Sequence, residues 1–270
     1  MAAQRRTART ASIRVKPLVL ALAGVFPVAA LHAAGPDVRL PTQHGTFTPT
    51  GSAVTVNRVV SDTAARLDVT QTATRAITQW SSFNVGADSQ VNFYMPTSGS
   101  AMLARVLPGA AAPQQILGQV NTFVGTVGSK QVGGELFLVN AGGWLFGNTA
   151  TVNVGGLVAS TLDVRNTDFL NGLSSISQAQ ATFSWKYAGG VDNADASGKY
   201  AAGLYQANGL VQVDEGAKIT TASGGRVFLF APTVVNKGSI STPDGQTVLA
   251  GGGEVFLNNP QFEKLYASEV

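Results

Sequence analysis

Ile219-Thr220-Thr221-Ala222-Ser223-Gly224 is followed, 21 residues on, by Ile240-Ser241-Thr242-Pro243-Asp244-Gly245, and the next apolar pair, Val227-Phe228, aligns with Val248-Leu249. Each copy reads as a short strand, a tight turn and a second short strand. A further signature, two glycines, a charged residue, an aliphatic residue and Phe-Leu, occurs three times. Its copies are Gly133-Gly134-Glu135-Leu136-Phe137-Leu138, Gly224-Gly225-Arg226-Val227-Phe228-Leu229 and Gly252-Gly253-Glu254-Val255-Phe256-Leu257. Glycines allow positive φ at a sharp corner, and the apolar triplet after them forms a short strand buried on one face. A corner every few residues makes a coil. With a period near 21, each turn of the coil holds about three short strands, and strands of successive turns pair in parallel ~4.8 Å apart. The competing reading, Gly-rich hairpins in a β-sandwich, gives no reason for the fixed spacing.

Working outward, Val54-Thr55-Val56, Val91-Asn92-Phe93, Val120-Asn121-Thr122-Phe123-Val124 and Val152-Asn153-Val154 are short, β-rich and bounded by turn residues. Asn92, Asn121, Asn153 and Asn236 recur in these runs, where they either stack as side-chain ladders or serve as solvated turn residues. One stretch, Thr63 to Trp80, is compatible with a helix, although it is rich in Val, Thr and Ile and lacks firm start and stop signals. From Asp163 to Asn208 the periodicity stops: the segment is polar, carries Phe183, Trp185, Tyr187, Tyr200 and Tyr205, and has no 21-residue echo. It is expected to leave the coil, as a hairpin packed on the flank or as a binding loop, with the aromatic residues forming a local core.

The opening of the chain fixes a compartment. Arg5, Arg6, Arg9, Arg14 and Lys16 precede an apolar run from Leu18 to Leu31, and His32-Ala33-Ala34-Gly35 follows. This is the pattern of a secretory signal peptide over 1–33, with cleavage expected near Ala33 or, alternatively, Ala30. The run is short for a membrane span, which needs ~20 apolar residues. Arg5-Arg6 hints at twin-arginine export, but Thr7-Ala8-Arg9 lacks the apolar residue expected after it, and general unfolded export is favoured. Losing this segment takes five basic residues and no acidic ones, so the formal charge moves from +3 to −2. With no Lys/Arg block and no aromatic-basic interleaving left, no nucleic-acid partner is implied. The chain has no cysteine, so an exported protein of this sequence stands on packing alone, and about 237 mature residues suffice for one all-β domain.

The catalytic inventory is thin. Only His44 remains after the leader, which gives histidine-based triads and metal clusters little material. Among carboxylates, Asp192 with Asp195 and Asp214 with Glu215 are the nearest pairs for acid/base work on glycans. Neighbouring strand residues point to opposite faces, which separates Asp214 from Glu215, and Asp192 and Asp195 sit in a Gly/Asn/Ser context that favours turns. Gly251-Gly252-Gly253 lacks the helix and lysine of a phosphate loop. No catalytic residue, metal or cofactor is implied.

Ile77-Thr78-Gln79-Trp80-Ser81-Ser82-Phe83-Asn84-Val85-Gly86, continued by Val91-Asn92-Phe93 and Pro96, resembles the opening of the filamentous haemagglutinin N-terminal domain, the two-partner secretion domain. Ala104-Arg105-Val106, Gln115-Ile116-Leu117-Gly118, Gly134 to Asn140, Leu145-Phe146-Gly147 and Val152-Asn153-Val154-Gly155-Gly156-Leu157-Val158-Ala159-Ser160-Thr161 follow in the family's order. The resemblance spans roughly Gly45 to Leu257, with Trp80, Phe83, Asn84, Gly147, Asn153, Gly155 and Gly156 as motif residues. It implies an all-β chain folded as a right-handed parallel β-helix, a solenoid with an N-terminal cap, to which the aperiodic segment adds extra-helical hairpin elements.

It also implies a route. Such a domain leads an exoprotein across the inner membrane and is recognised in the periplasm by an outer-membrane TpsB-type transporter of the Omp85 kind, through its POTRA domains. The exoprotein then reaches the cell surface or the medium, where a host-cell or bacterial surface receptor is a further possible partner. The family includes adhesins, haemolysins, haem-acquisition proteins and contact-dependent growth inhibition toxins; a β-helix polysaccharide lyase or hydrolase is the enzymatic alternative. The family's Asn-Pro-Asn-Gly turn, tied to secretion, stands here as Asn140-Ala141-Gly142-Gly143. Ala141 lacks proline's fixed φ, and Gly142 is expected to take the positive φ. The family's second motif, Asn-Pro-Asn-Leu, has no clear counterpart, Asn259-Pro260-Gln261-Phe262 being late and loose.

Overall fold

The structure, a computed structural model, describes residues 35–107, 112–173, 181–199, 208–258 and 266–269. The expected signal segment, Tyr200, Tyr205 and Asn259 to Phe262 lie outside these residues.

The chain winds as a parallel β-helix with three faces. The first face stacks Arg75–Ser82, Ala101–Val106, Glu135–Val139, Gly156–Ser160, Arg226–Ala231 and Gln246–Gly251. The second stacks Gln114–Ile116, Trp144–Phe146, Leu210–Val213 and Thr233–Asn236. The third stacks Ala65–Gln71, Ser89–Met95, Gln119–Val124, Thr151–Val154, Lys218–Thr221 and Ser239–Ser241. Pairing within every one of these stacks is parallel. Ile240 stacks on Ile219 at the predicted spacing of 21. Past the corner the register shortens by one, so Phe228, not Val227, faces Val248. The turn Thr242-Pro243-Asp244-Gly245 has one residue fewer than its counterpart before Arg226, and the two-residue side-chain period makes that slip consequential.

Alternation places Met102 and Ala104, Leu136 and Leu138, Leu157 and Ala159, and Val227 and Leu229 inside the coil. The opposite side of this first face is apolar too: Leu103, Phe137, Val158, Phe228 and Phe230 point outward into a second core. Burial on both sides explains why these strands read as near-continuous hydrophobic runs, as parallel strands do.

The coil is closed at its N-terminal end. Thr42–Gln43 pairs antiparallel with Arg75–Ser82, and Val54–Val60 pairs antiparallel with Ala65–Gln71, so the first rung's edges are covered. Thr63 to Trp80, weighed as helix, is therefore two strands, its β-branched residues packing on a pleated surface. At the other end, among the described residues, no strand pairs with the outer edge of Gln246–Gly251, and the interior-facing Leu249 stays 43% exposed. The third Gly-Gly signature does not begin another rung: Glu254–Asn258 pairs antiparallel with Ala181–Ser184 and Tyr266–Glu269 in a separate sheet.

The asparagine ladder is real but shorter than four members. Asn92, Asn121 and Asn153 stand in register on the third face. Asn121 Nδ2 donates to Asn92 Oδ1 at 3.0 Å, and Asn92 Nδ2 donates to Asp68 Oδ1 at 3.0 Å. The acceptor-only carboxylate ends a chain of donors that all point one way. Asn236 lies on the second face, where its side chain accepts from the Gly238 N–H.

The corner before the first face explains the double glycines. Gly134, Gly155, Gly225 and Gly245 occupy one column, each just ahead of a paired strand. A Cβ on Gly155 would overlap the carbonyl oxygen of Gly134, one on Gly225 that of Gly155, and one on Gly245 that of Gly225. Close approach of backbones, rather than left-handed φ, is the requirement at Gly155. Gly155→Ala is therefore expected to lower the free energy of unfolding by at least about 2 kcal/mol in urea titrations, whereas Gly99→Ala, with nothing within 4 Å of the added carbon, is expected to change it by less than about 0.5 kcal/mol.

Candidate functional site

The turn Asn140-Ala141-Gly142-Gly143 forms the corner between the first and second faces, joining Glu135–Val139 to Trp144–Phe146. Asn140 is buried and locks it: Nδ2 donates to the Gly143 carbonyl at 2.7 Å, and the Gly143 N–H donates to the Asn140 carbonyl at 3.0 Å. Neighbouring rungs hold it on both sides, the Asn140 N–H donating to Ser160 and the Gly143 carbonyl accepting from the Gln114 N–H. The left-handed residue is Gly143, at φ +105°, not Gly142 as expected. Here positions two and three keep ordinary φ, as in a type I turn, and the reversal falls on the residue entering the next strand. There a side chain would strike the Leu210 carbonyl. Ala141 and Gly142 remain half-exposed at the apex.

The other motif residues do not gather around this turn. Trp80 and Phe83 lie in the interior near the capped end, their rings 5.4 Å apart edge-on, with Phe83 also against Phe93 and Trp144. Asn84 Oδ1 accepts the Gln115 N–H at 2.8 Å, and Gln114 Oε1 accepts the Phe83 N–H. These side-chain amides replace ladder bonds where the second face has no full strand on its N-terminal side. Gly147 and Gly155 make corners, Gly156 starts a strand, and Asn153 belongs to the ladder column. Trp80, Phe83, Gly147 and Gly156 are buried, while Asn84, Asn153 and Gly155 are half-buried like the apex of the turn.

A second element borders the turn. After Ser160 the chain leaves the coil, forms a short helix, Asn166–Leu170, and returns against the outside of the first face. Phe169 and Phe183 of this excursion meet Phe137 and Phe230, with ring centroids 5.3 and 5.5 Å apart in edge-on pairs, which confirms a local aromatic core. Arg105, 1% exposed, projects outward from its strand into that core. Its guanidinium donates to both oxygens of Asp163 at 2.8–3.0 Å, to Asn166 Oδ1 at 2.8 Å and to the Val164 carbonyl at 3.0 Å. Asp163 Oδ2 also accepts the Gly189 N–H. One rigid fork thus fixes the start of the excursion, and its partner Asp163 ties in Gly189. Ala141, Thr161, Asp163, Trp185, Ala188 and Gly189 line a cavity between turn and excursion.

Nothing in the sequence marked Arg105 as more than part of a motif, because its partner stands 58 residues away in an aperiodic segment. The carboxylates weighed for catalysis are engaged locally. Asp195 Oδ1 accepts from Ser197 and Lys199, which holds its carboxyl below the usual range, and Asp192 Oδ1 accepts from Ala194, as turn formers do. Asp214 Oδ1 accepts from Gln212. Among the described residues no group of three or more His, Cys, Asp or Glu is placed to hold a metal.

Comparison with known proteins agrees with this framework. The family model described as TPS secretion domain matches residues 45–270. A heme/hemopexin-binding protein of Haemophilus influenzae is 28% identical over 135 residues, 50% of this chain and 12% of that protein. The corresponding protein of strain Rd is 30% identical over 117 residues, 43% of this chain and again 12% of the relative, so the matches span about an eighth of these proteins' length. Among solved structures, the HMW1 secretion domain from Haemophilus influenzae superposes with a TM-score of 0.54 at 21% identity, covering 80% of this chain and 46% of that one, a likeness of fold.

Two expectations follow from the excursion's anchoring. Arg105→Met strands the buried Asp163 carboxylate and is expected to cost about 3–5 kcal/mol in denaturant unfolding, and adding Asp163→Asn should recover part of that loss. Glu254, which ties the outer sheet to the excursion through Ser184 and Lys186, is pushed up by burial but brought below the usual range by those two hydrogen bonds. A depressed folded pKa stabilises above the unfolded value of about 4.3 and ceases to do so as pH falls through the folded one. Glu254→Gln should therefore lower the melting temperature at pH 7, by an amount that shrinks in thermal melts as pH falls through the folded pKa.

Proposed function

The chain belongs to the TPS secretion domain family, and from that premise we propose that it is the segment by which an exported protein is recognised in the periplasm by the POTRA domains of an outer-membrane transporter of the Omp85 type. TPS domains are recognised by TpsB transporters, and exoproteins that carry them are secreted. The finer reading is that 1–33 acts as a cleaved signal peptide, that residues 34–270 form the recognised β-helix domain, and that the product is a haemagglutinin- or adhesin-like protein at the cell surface or in the medium. A surface receptor on host or bacterial cells would then be its later partner. The observation that carries this reading is the turn at Asn140–Gly143: a half-exposed apex on a corner locked by a buried asparagine, in the position of the family's secretion-linked motif.

The heme/hemopexin-binding activity named for the relatives belongs to proteins of which only 12% is matched. Sequence kept across so small a share of a long protein supports a common export role more than a common cargo. Physical features point the same way. Cysteine is absent, so no cross-link impedes threading through a narrow pore. Contacts between rungs are mostly local in sequence, so burial of apolar surface can proceed rung by rung as the chain emerges. Among the described residues no helix is long and apolar enough to cross a membrane.

Co-expression with a cognate POTRA-bearing barrel, followed by assay of medium and periplasm, tests the proposal. The chain is expected in the medium only when the transporter is present. Gly142→Glu, which places charge at the turn's apex while leaving the Asn140 lock in place, is expected to cut release at least several-fold with an unchanged melting temperature. Release independent of the transporter would refute the assignment; undiminished release of Gly142→Glu would refute the turn's part in it.

A further inference from the structure

The cavity between the turn and the excursion is lined by a residue whose polar group no other described residue satisfies. Thr161 is 7% exposed, and its hydroxyl oxygen is buried with no hydrogen-bond partner among the described residues. Burying a hydroxyl without a partner is costly enough that such atoms in native proteins call for an explanation. The backbone N–H of the same residue is satisfied by Phe230, which holds Thr161 in place. The cavity it lines is about 20 Å³, against the roughly 10–15 Å³ that one water needs on the same measure. Asp163, Ala141, Ala188 and Gly189 line the same space.

We infer that this cavity is a binding site for a single ordered water molecule, held by the Thr161 hydroxyl and bridging the turn to the excursion. The inference stands apart from the transporter reading, since it concerns how the turn is supported and not what touches it. A water with two to four partners satisfies the hydroxyl at little entropic expense, and an apolar filling of the space would leave it stranded.

A crystal structure of the full chain at about 1.8 Å or better, with thermal unfolding of Thr161→Val, tests the site. Valine keeps the shape of threonine and removes only the hydroxyl. If the water is bound, density lies within hydrogen-bond distance of Thr161 Oγ1 and Thr161→Val lowers the melting temperature by about 2–4 °C. Absence of density, or a melting temperature for Thr161→Val that is unchanged or raised, would overturn the assignment.

Discussion

Every rung of this coil takes its backbone hydrogen bonds from the rung before and gives them to the rung after, at a rise of ~4.8 Å that side chains cannot alter. The corners must therefore turn within one strand spacing, and Gly155, Gly225 and Gly245 stack in one column because at those points backbone meets backbone with no room for a Cβ, while Gly134 at its head has left-handed φ and Met95 against it. Remove that allowance and the stacks on either side lose register together. The N-terminal antiparallel strands answer the same constraint, since a first rung without a predecessor would expose unpaired groups. Where a full strand is missing, at Phe83 to Val85, the amides of Asn84 and Gln114 supply the bonds instead.

A second consequence is that the first face must be apolar on both sides once the excursion lies over it. Its outward Phe137, Phe228 and Phe230 each represent about 1.5–3 kcal/mol of burial, with edge-on ring contacts adding ~1 kcal/mol per pair. Against this the Arg105–Asp163 pair is close to neutral in net energy, because desolvation of two charges offsets most of their attraction. The aromatic core thus holds the excursion on, while the ion pair determines where it sits: a guanidinium fork accepts few geometries, whereas aromatic rings accept many. That placement brings Gly189 and Trp185 to the edge of the Asn140–Gly143 turn, so the surface beside the turn is composed of a coil corner and an element that is not part of the coil.

Division of labour follows. The motif residues Trp80, Phe83, Asn84, Gly147, Asn153, Gly155 and Gly156 lie in the coil's interior, corners and strands. The half-exposed turn carries the recognition reading, and a chain that folds rung by rung suits passage through a pore in extended form.

The sequence by itself determined that the chain is a coil of short strands, because a 21-residue period and a glycine pair ahead of Phe-Leu are properties of neighbouring residues and survive as text. It also marked where the coil is interrupted, since loss of periodicity needs no partner to be seen. Only the tertiary structure decided the rest. The one-residue slip that sets Phe228 on Val248 depends on the length of a turn, and the diversion of the third Gly-Gly copy into an antiparallel sheet depends on Ala181–Ser184 being there to receive it. The reversal at Gly143 rather than Gly142 depends on how the corner meets Leu210 in the next rung. Arg105 with Asp163, and the unsatisfied hydroxyl of Thr161, were illegible for the same reason: each is defined by contacts across tens of residues, and a linear pattern records spacing along the chain but not which side chains the fold presses together.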